Sequence, residues 1–149
     1  MVQLLPNDFF ELAKEQLSEG NTVRLRVQGN SMLPFIHSGD VVVIEPYLQE
    51  DLPLYTAVFY QWKGQFMTHR LISKSVKDND HEMWSMLGDG NISQVETLEK
   101  SEILGVLTLL CHEGKEFSCV DHRWLRLGRL WHILLPIRRI LLWLYKRLL

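Results

Sequence analysis

Short apolar segments separated by turn residues fill the chain between residues 22 and 120, and their length limits the folds available to it. Thr22–Val27 alternates apolar and polar residues, which is typical of a half-buried strand. Lys63-Gly64 lies between two further segments and indicates a hairpin. The other predicted strands are Val41–Ile44, Ala57–Trp62, Gln65–Ile72, Glu82–Leu87, Ile103–Leu110 and Phe117–Val120. Short strands joined by short turns predict a mostly antiparallel β body.

The first 20 residues predict a short amphipathic helix instead. Pro6-Asn7-Asp8 is typical of a helix start, and Gly20 is typical of a helix stop. The apolar side chains between them share one face, which we expect to pack on the β body. This segment carries four acidic residues against the single Lys14, a balance that is not compatible with a secretory signal peptide.

Residues 121–149 are rich in Leu, Trp and Ile but are interrupted by arginines. The longest uncharged stretch, Leu130–Ile137, has eight residues, whereas a membrane-spanning helix needs about 20. One helical face before Pro136 is apolar and consists of Leu127, Leu130, Trp131 and Leu134. Arg126 and Arg129 lie on the opposite face. This pattern predicts an amphipathic helical tail at a membrane interface. The alternatives are a helix docked on its own body or on a partner, and a tilted span.

The charge distribution supports a division of the chain into segments. Residues 1–120 hold 9 basic and 17 acidic residues, a net charge of −8, whereas residues 121–149 hold 7 basic residues and Asp121, a net charge of +6. We therefore predict an N-terminal helix over 1–20, a β domain over 21–120 and a basic tail over 121–149. The tail requires an anionic partner. We expect a membrane surface and no nucleic acid, because the basic residues alternate with large aliphatic side chains.

Several common site motifs are missing from the sequence. There is no CxxC, no HExxH, no phosphate-binding GxxxxGK[ST] and no GxGxxG. We therefore expect no metal centre and no cofactor. Cys111 and Cys119 flank a predicted turn, and two cysteines in a chain of this size are expected to be free thiols.

Three turn or strand segments carry residues suited to peptide-bond chemistry. Ser31 lies in a Gly-Asn-Ser turn between two predicted strands, where its hydroxyl and its backbone N–H would be presented together. His69 shares a strand face with apolar neighbours, and histidine is a side chain suited to act as a base at neutral pH. Asp89 lies in a Gly-Asp-Gly-Asn turn. Each residue also has a structural explanation when it is considered alone: a turn serine, a core histidine and a turn aspartate.

Taken together, these segments resemble the serine peptidases of the signal peptidase I and LexA-like superfamily. The nucleophile box of that superfamily is matched by Gly29-Asn30-Ser31-Met32-Leu33-Pro34, followed by Gly39-Asp40 and the apolar strand Val41–Ile44. His69-Arg70 resembles the base and the arginine that follows it in the branch that uses histidine as the base. This branch is the archaeal and endoplasmic-reticulum type. Gly88-Asp89-Gly90-Asn91 resembles the Gly-Asp-Asn-Asn box of that branch. The resemblance covers about residues 23–110.

The resemblance implies the β-rich peptidase fold and a serine endopeptidase that cleaves leader or signal peptides. In this interpretation Ser31 attacks an extended peptide, His69 takes its proton, and Asp89 orients the imidazole. Glu96 is the alternative orienting residue, because the aspartate that this branch places beyond its Gly-Asp box is replaced here by Ser93-Gln94-Val95-Glu96. Gly29 occupies the position of a serine that assists the oxyanion in signal peptidases, so the backbone N–H of Ser31 would serve instead.

The expected location is the cytoplasmic face of a membrane, where the tail would hold the protein peripherally. One alternative function is a catalytically silent peptide- or membrane-binding domain of the same fold. Another is a LexA-like regulator that cleaves itself, which is disfavoured because the chain contains no Ala-Gly or Cys-Gly bond.

Overall fold

The computed structural model describes residues 6–77 and 80–148. Within these residues the chain forms a helix, eight strands and two further helices, which confirms the predicted mostly β class. The strands are β1 (Val23–Arg26), β2 (Val41–Pro46), β3 (Ala57–Trp62), β4 (Gln65–Lys77), β5 (His81–Leu87), β6 (Glu96–Glu99), β7 (Ile103–His112) and β8 (Lys115–Ser118). The helices are α1 (Pro6–Ser18), α2 (His122–Ile133) and α3 (Arg138–Leu148). The outer residues of the predicted end segments, 1–5 and 149, lie outside the described residues.

All strand pairs in the sheet are antiparallel, and the strand order is β1-β2-β7-β3-β4-β5-β6, with β8 paired to β7. β3 and β4 form the predicted hairpin, and both turn residues, Lys63 and Gly64, have positive φ. Arg70 on β4 lies opposite Leu87 on β5, and Met86 on β5 lies opposite Glu96 on β6. Because of this register, the middle of β4, the end of β5 and the start of β6 lie next to one another in the sheet.

The core consists of two buried clusters that involve the sheet. One lies beneath α1, which contributes Ala13 and Leu17 and packs against β1, β2 and β7. The other surrounds Trp84 on β5, which is fully buried. Tyr60 on β3 and Leu71 on β4 belong to the same cluster and are also fully buried. Each large side chain buried in this way contributes about 1.5–3 kcal/mol to stability. The clusters hold the central strands rigidly and so fix the positions of the loops at their ends.

The structure differs from the predicted strands at β4, β6 and β8, and β8 spans Lys115–Ser118 where the sequence predicted Phe117–Val120. The sequence did not predict β6, because Glu96–Glu99 has only one apolar residue and no apolar alternation. Its strand conformation comes from pairing with β5, where Leu98 lies opposite Trp84. β4 continues past the predicted end at Ile72, because its second half pairs with β5 as far as Lys77.

The tail forms two helices joined by a short 3-10 helix, Leu135–Ile137, which contains Pro136. The predicted apolar face of α2 is divided: Trp131 is buried against the body, whereas Leu127 and Leu130 are exposed. The apolar face is divided because α2 is apolar over two adjoining faces and only one of them packs on the body. Among the described residues, no helix is long and apolar enough to cross a membrane.

The two cysteines are free thiols in the structure. Cys111 lies opposite Glu116 in the β7–β8 pair, so the hairpin does not place the two cysteines opposite each other. Cys119 is buried, and this burial raises the pKa of its thiol to about 12. It therefore remains protonated at neutral pH and packs as a small apolar side chain.

Candidate active site

Ser31 lies in the loop that joins β1 to β2. The two ends of this loop are bridged by the backbone hydrogen bonds from Val27 N–H to Asp40 O and from Gly39 N–H to Val27 O, both 2.8 Å. Gly29 has a φ of 95°, which side chains disfavour, and so it permits the turn that leads into Ser31. Ser31 is exposed, whereas the next residue, Met32, is buried. The loop thus presents a hydroxyl to solvent beside an apolar anchor.

The turn Gly88–Asn91 holds the backbone of the Ser31 loop. Gly90 N–H donates to the carbonyl oxygen of Ser31 at 2.8 Å, and Asp89 N–H contacts Met32 Sδ at 3.4 Å. A Cβ at Gly88 would come closer than 3.0 Å to the Ser31 carbonyl oxygen, and one at Gly90 would do the same to the Asn30 carbonyl oxygen. Both glycines are therefore required by the close approach of two backbone segments.

His69 lies in the middle of β4 and is only 4% exposed. Its Nδ1 is 2.6 Å from Glu96 Oε1 and 3.0 Å from the hydroxyl of Tyr60. Because an ionised carboxylate can only accept, Nδ1 carries the proton of this hydrogen bond, and in the neutral imidazole Nε2 holds the lone pair. The Tyr60 hydroxyl donates to the same Glu96 oxygen at 2.8 Å. Burial and the neighbouring Glu96 raise the pKa of Tyr60 far above its usual range, so that it stays a donor.

Ser31 and His69 line one cavity of about 320 Å³. Gly88 lies close to both His69 and the Ser31 backbone. A Cβ at Gly88 would lie 3.0 Å from His69 Cδ2 and would also contact the Ser31 carbonyl oxygen. Among the described residues, Ser31 Oγ makes no hydrogen bond to His69. Catalytic hydrogen bonds of this kind often tighten only when substrate binds. The rest of the lining combines polar and apolar side chains, among them Leu25, Met32, Ile36, Phe59, Asn91, Gln94 and Glu96.

Among the described residues, Asp89 makes its side-chain hydrogen bonds to Arg70 and none to the imidazole of His69. Both of its carboxylate oxygens lie 2.9 Å from Arg70 Nε, and the pair is buried. Successive side chains on a strand point to opposite faces, so His69 and Arg70 diverge, and Asp89 lies on the side of Arg70. The structure thus places the alternative carboxylate, Glu96, on His69 and places Asp89 on Arg70.

Arg70 also connects this site to the tail. Its guanidinium lies 4.2 Å from the centre of the Trp124 ring, and Nη1 donates to the carbonyl oxygen of Tyr55 at 3.0 Å. A Cβ at Gly128 on α2 would clash with this guanidinium. Gly128 thus allows the helix backbone to lie directly against the Arg70–Asp89 pair.

The tail helices bind the Gly88–Asn91 turn through its carbonyl groups. Trp131 Nε1 donates to Asp89 O at 2.7 Å, and Arg138 Nη1 donates to Asn91 O at 2.9 Å and to Gly88 O at 3.4 Å. Arg138 is only 2% exposed, although it is one of the basic residues of the tail. No sequence signal distinguished Arg138 from its exposed neighbour Arg139, because the distinction depends on how the helix docks.

A family model described as Peptidase S24-like matches residues 2–108. No curated protein matches the chain. The matched range contains Ser31, His69, Glu96 and the Gly88–Asn91 turn, whereas α2 and α3 lie beyond it.

Proposed function

The chain belongs to the peptidase S24-like family, and we propose that it is a serine endopeptidase. Ser31 is the nucleophile, His69 is the general base, and Glu96 orients His69. The observation that carries the proposal is the hydrogen bond from His69 Nδ1 to the buried Glu96, 2.6 Å long, next to the cavity that Ser31 also lines. A buried imidazole held by a carboxylate beside an exposed serine is the arrangement that activates a hydroxyl.

The proposed reaction begins with a peptide carbonyl bound in the cavity. Ser31 Oγ attacks the carbonyl carbon and transfers its proton to His69 Nε2, and Glu96 stabilises the imidazolium that forms. The backbone N–H of Ser31 donates to the oxyanion. His69 then protonates the leaving amine as the C–N bond breaks. Water, deprotonated by the same histidine, hydrolyses the acyl ester and releases Ser31.

The proposed substrates are leader or signal peptides in an extended conformation. β1 is an edge strand of the sheet, and the cavity is lined by residues 25–28, at the end of β1 and in the loop that follows. An extended peptide can therefore pair with this edge and lead into the cavity beside Ser31. The apolar lining, which includes Leu25, Ile36 and Phe59, favours a substrate with small or medium apolar side chains next to the scissile bond.

We also propose that the tail binds the protein peripherally to an anionic membrane, at its cytoplasmic face. The tail helices bury one face on the body and expose a second set of large apolar side chains: Leu127, Leu130, Ile133, Ile137, Ile140, Trp143, Leu144 and Leu148. Exposed arginines and lysines flank this set. Near anionic lipid each basic residue adds about 1 kcal/mol to the attraction. An apolar surface with basic flanks is typical of an interfacial helix.

The experiment that tests the peptidase proposal compares peptides in cells that express the wild type or Ser31→Ala. Mass spectrometry should detect an intact leader peptide only in cells with the Ser31→Ala variant. Ser38→Ala is the matched control, because Ser38 is exposed in the same loop, and its cells should resemble wild type. Identical peptide sets in wild-type and Ser31→Ala cells would reject the proposal.

A catalytically silent peptide-binding domain is the second candidate. The observation that favours it is that, in the described residues, Ser31 Oγ makes no hydrogen bond to His69. The same experiment separates the two functions, since a silent domain leaves every leader uncut with or without Ser31. If the protein is a self-cleaving regulator, the purified wild-type protein should cleave itself on standing at alkaline pH, and the Ser31→Ala variant should remain intact.

A further inference from the structure

We propose that His37, Asp40 and His112 bind a zinc ion at a site separate from the peptidase residues. His37 and Asp40 lie in the second half of the β1–β2 loop, and His112 ends β7. The pairing of β2 with β7 sets Val41 opposite Cys111, so that the neighbouring Asp40 and His112 come together. One ligand atom of each of the three residues lies within 4.8 Å of the others.

The carboxylate of Asp40 is the centre of this cluster. Its Oδ1 is 2.6 Å from His112 Nδ1, and its Oδ2 is 3.6 Å from His37 Nδ1. The backbone N–H of His37 donates to Oδ2 at 2.7 Å and holds the carboxylate in place. The two imidazole rings stack with their centres 4.7 Å apart. A zinc ion bound here would take two nitrogens and one oxygen as ligands at distances of about 2.0–2.2 Å.

His37 Nδ1 provides an independent indication that this cluster can bind a ligand. This atom is buried and has no hydrogen-bond partner among the described residues. The other ring nitrogen, Nε2, is hydrogen-bonded to the hydroxyl of Tyr145. When Nε2 carries the proton, Nδ1 holds a lone pair directed into the cluster. Buried polar atoms without a partner are rare in proteins, and a metal ion would satisfy this one.

The donor set favours zinc over calcium or magnesium. Two imidazoles and a carboxylate are ligands typical of zinc, whereas calcium and magnesium prefer oxygen ligands. Metal-binding histidines commonly use their second nitrogen for an outer hydrogen bond that fixes the ring, and Tyr145 provides that bond for His37. Tyr145 is therefore a positioning residue of the site.

Zinc at this position would link the tail to the body. Tyr145 lies on α3, whereas His37 lies on the loop that carries Ser31. A bound ion fixes the His37 ring against Tyr145 and so favours the docked position of α3. Since ligand binding to the folded state stabilises it, zinc should raise the unfolding temperature of the whole chain.

The test uses the purified full chain in the Ser31→Ala background, so that its outcome does not depend on peptidase activity. The protein is stripped with a chelator and titrated with zinc chloride against a chromophoric zinc indicator. We expect one zinc per chain. His37→Gln and His112→Gln should each weaken binding at least about tenfold, and Tyr145→Phe should weaken it by roughly tenfold. His81→Gln, which changes an exposed histidine on β5, should bind as the parent does.

Circular dichroism of each variant reports whether it is folded, and His112→Gln is the decisive variant because its side chain is partly exposed at a strand end. Failure of the parent protein to take up zinc at micromolar concentration would overturn the proposal. The proposal would also be overturned if the His37→Gln and His112→Gln variants were both folded and bound zinc as tightly as the parent. The same holds if replacement of the neighbouring thiol, Cys111→Ser, were the only change that abolished zinc binding.

Discussion

At the scale of single residues, the two carboxylates near the site have separate partners on β4. Glu96 holds His69, and Asp89 holds Arg70. The sequence predicted Ser31 and His69, because each lies in a local motif that its neighbours define. It could not decide between Asp89 and Glu96, because that choice depends on the β5–β6 register, which is set by pairing between strands.

This division predicts different results for two isosteric variants. Glu96→Gln should lower kcat by about 10²–10⁴-fold with little change in KM, because the amide no longer fixes the imidazole tautomer or stabilises the imidazolium. Asp89→Asn should act mainly on stability, since it leaves the buried Arg70 guanidinium without its counter-charge, at a cost of about 3–5 kcal/mol. Steady-state kinetics and urea unfolding measure the two effects. A Glu96→Gln variant with wild-type kcat would show that Glu96 does not orient the base.

At the scale of elements, α2 and α3 hold the turn that supports Ser31. Trp131 and Arg138 satisfy three carbonyl groups of Gly88–Asn91, and Gly90 of that turn donates to the Ser31 carbonyl. The sequence predicted that the tail is helical and amphipathic. It could not predict which apolar face docks, because the steric fit of Gly128 against Arg70 and the burial of Arg138 depend on the assembled sheet.

We therefore expect the tail to affect both stability and catalysis. Arg138→Ala removes the side-chain donor to the carbonyl oxygens of Asn91 and Trp131 and should lower the free energy of unfolding by about 1–3 kcal/mol. It should also lower kcat and speed hydrogen exchange at the amide of Gly90. Arg139→Ala is the matched control, since Arg139 is exposed and should change neither quantity. Equal exchange rates at Gly90 in the two variants would contradict the role of the tail in holding the turn.

At the scale of the whole molecule, the net charge of −2 conceals two oppositely charged parts. The acidic part contains the sheet and the proposed peptidase site, and the basic part contains the two helices with an exposed apolar surface. The same two helices therefore provide contacts to the Gly88–Asn91 turn on one face and a proposed membrane contact on the other.

Vesicle binding tests the membrane contact. Wild-type protein should co-sediment with vesicles of phosphatidylcholine containing phosphatidylglycerol, and less at high salt. Arg129→Ala with Lys146→Ala should weaken binding by about 2 kcal/mol, roughly 30-fold, because two exposed basic residues of the tail are lost. Lys63→Ala with Lys115→Ala removes the same charge from the body and should bind as wild type does. Equal losses in the two double variants would assign the attraction to net charge alone.

The central claim is that Ser31 is an activated nucleophile, and covalent labelling tests it most directly. The purified protein is treated with a serine-directed phosphonate and digested, and the modified peptide is identified by mass spectrometry. We expect one adduct on Ser31, absent from Ser31→Ala, strongly reduced in His69→Ala and unchanged in Ser38→Ala. Absence of an adduct on Ser31, or labelling of Ser31 at the wild-type rate in His69→Ala, would contradict a Ser31–His69 catalytic pair.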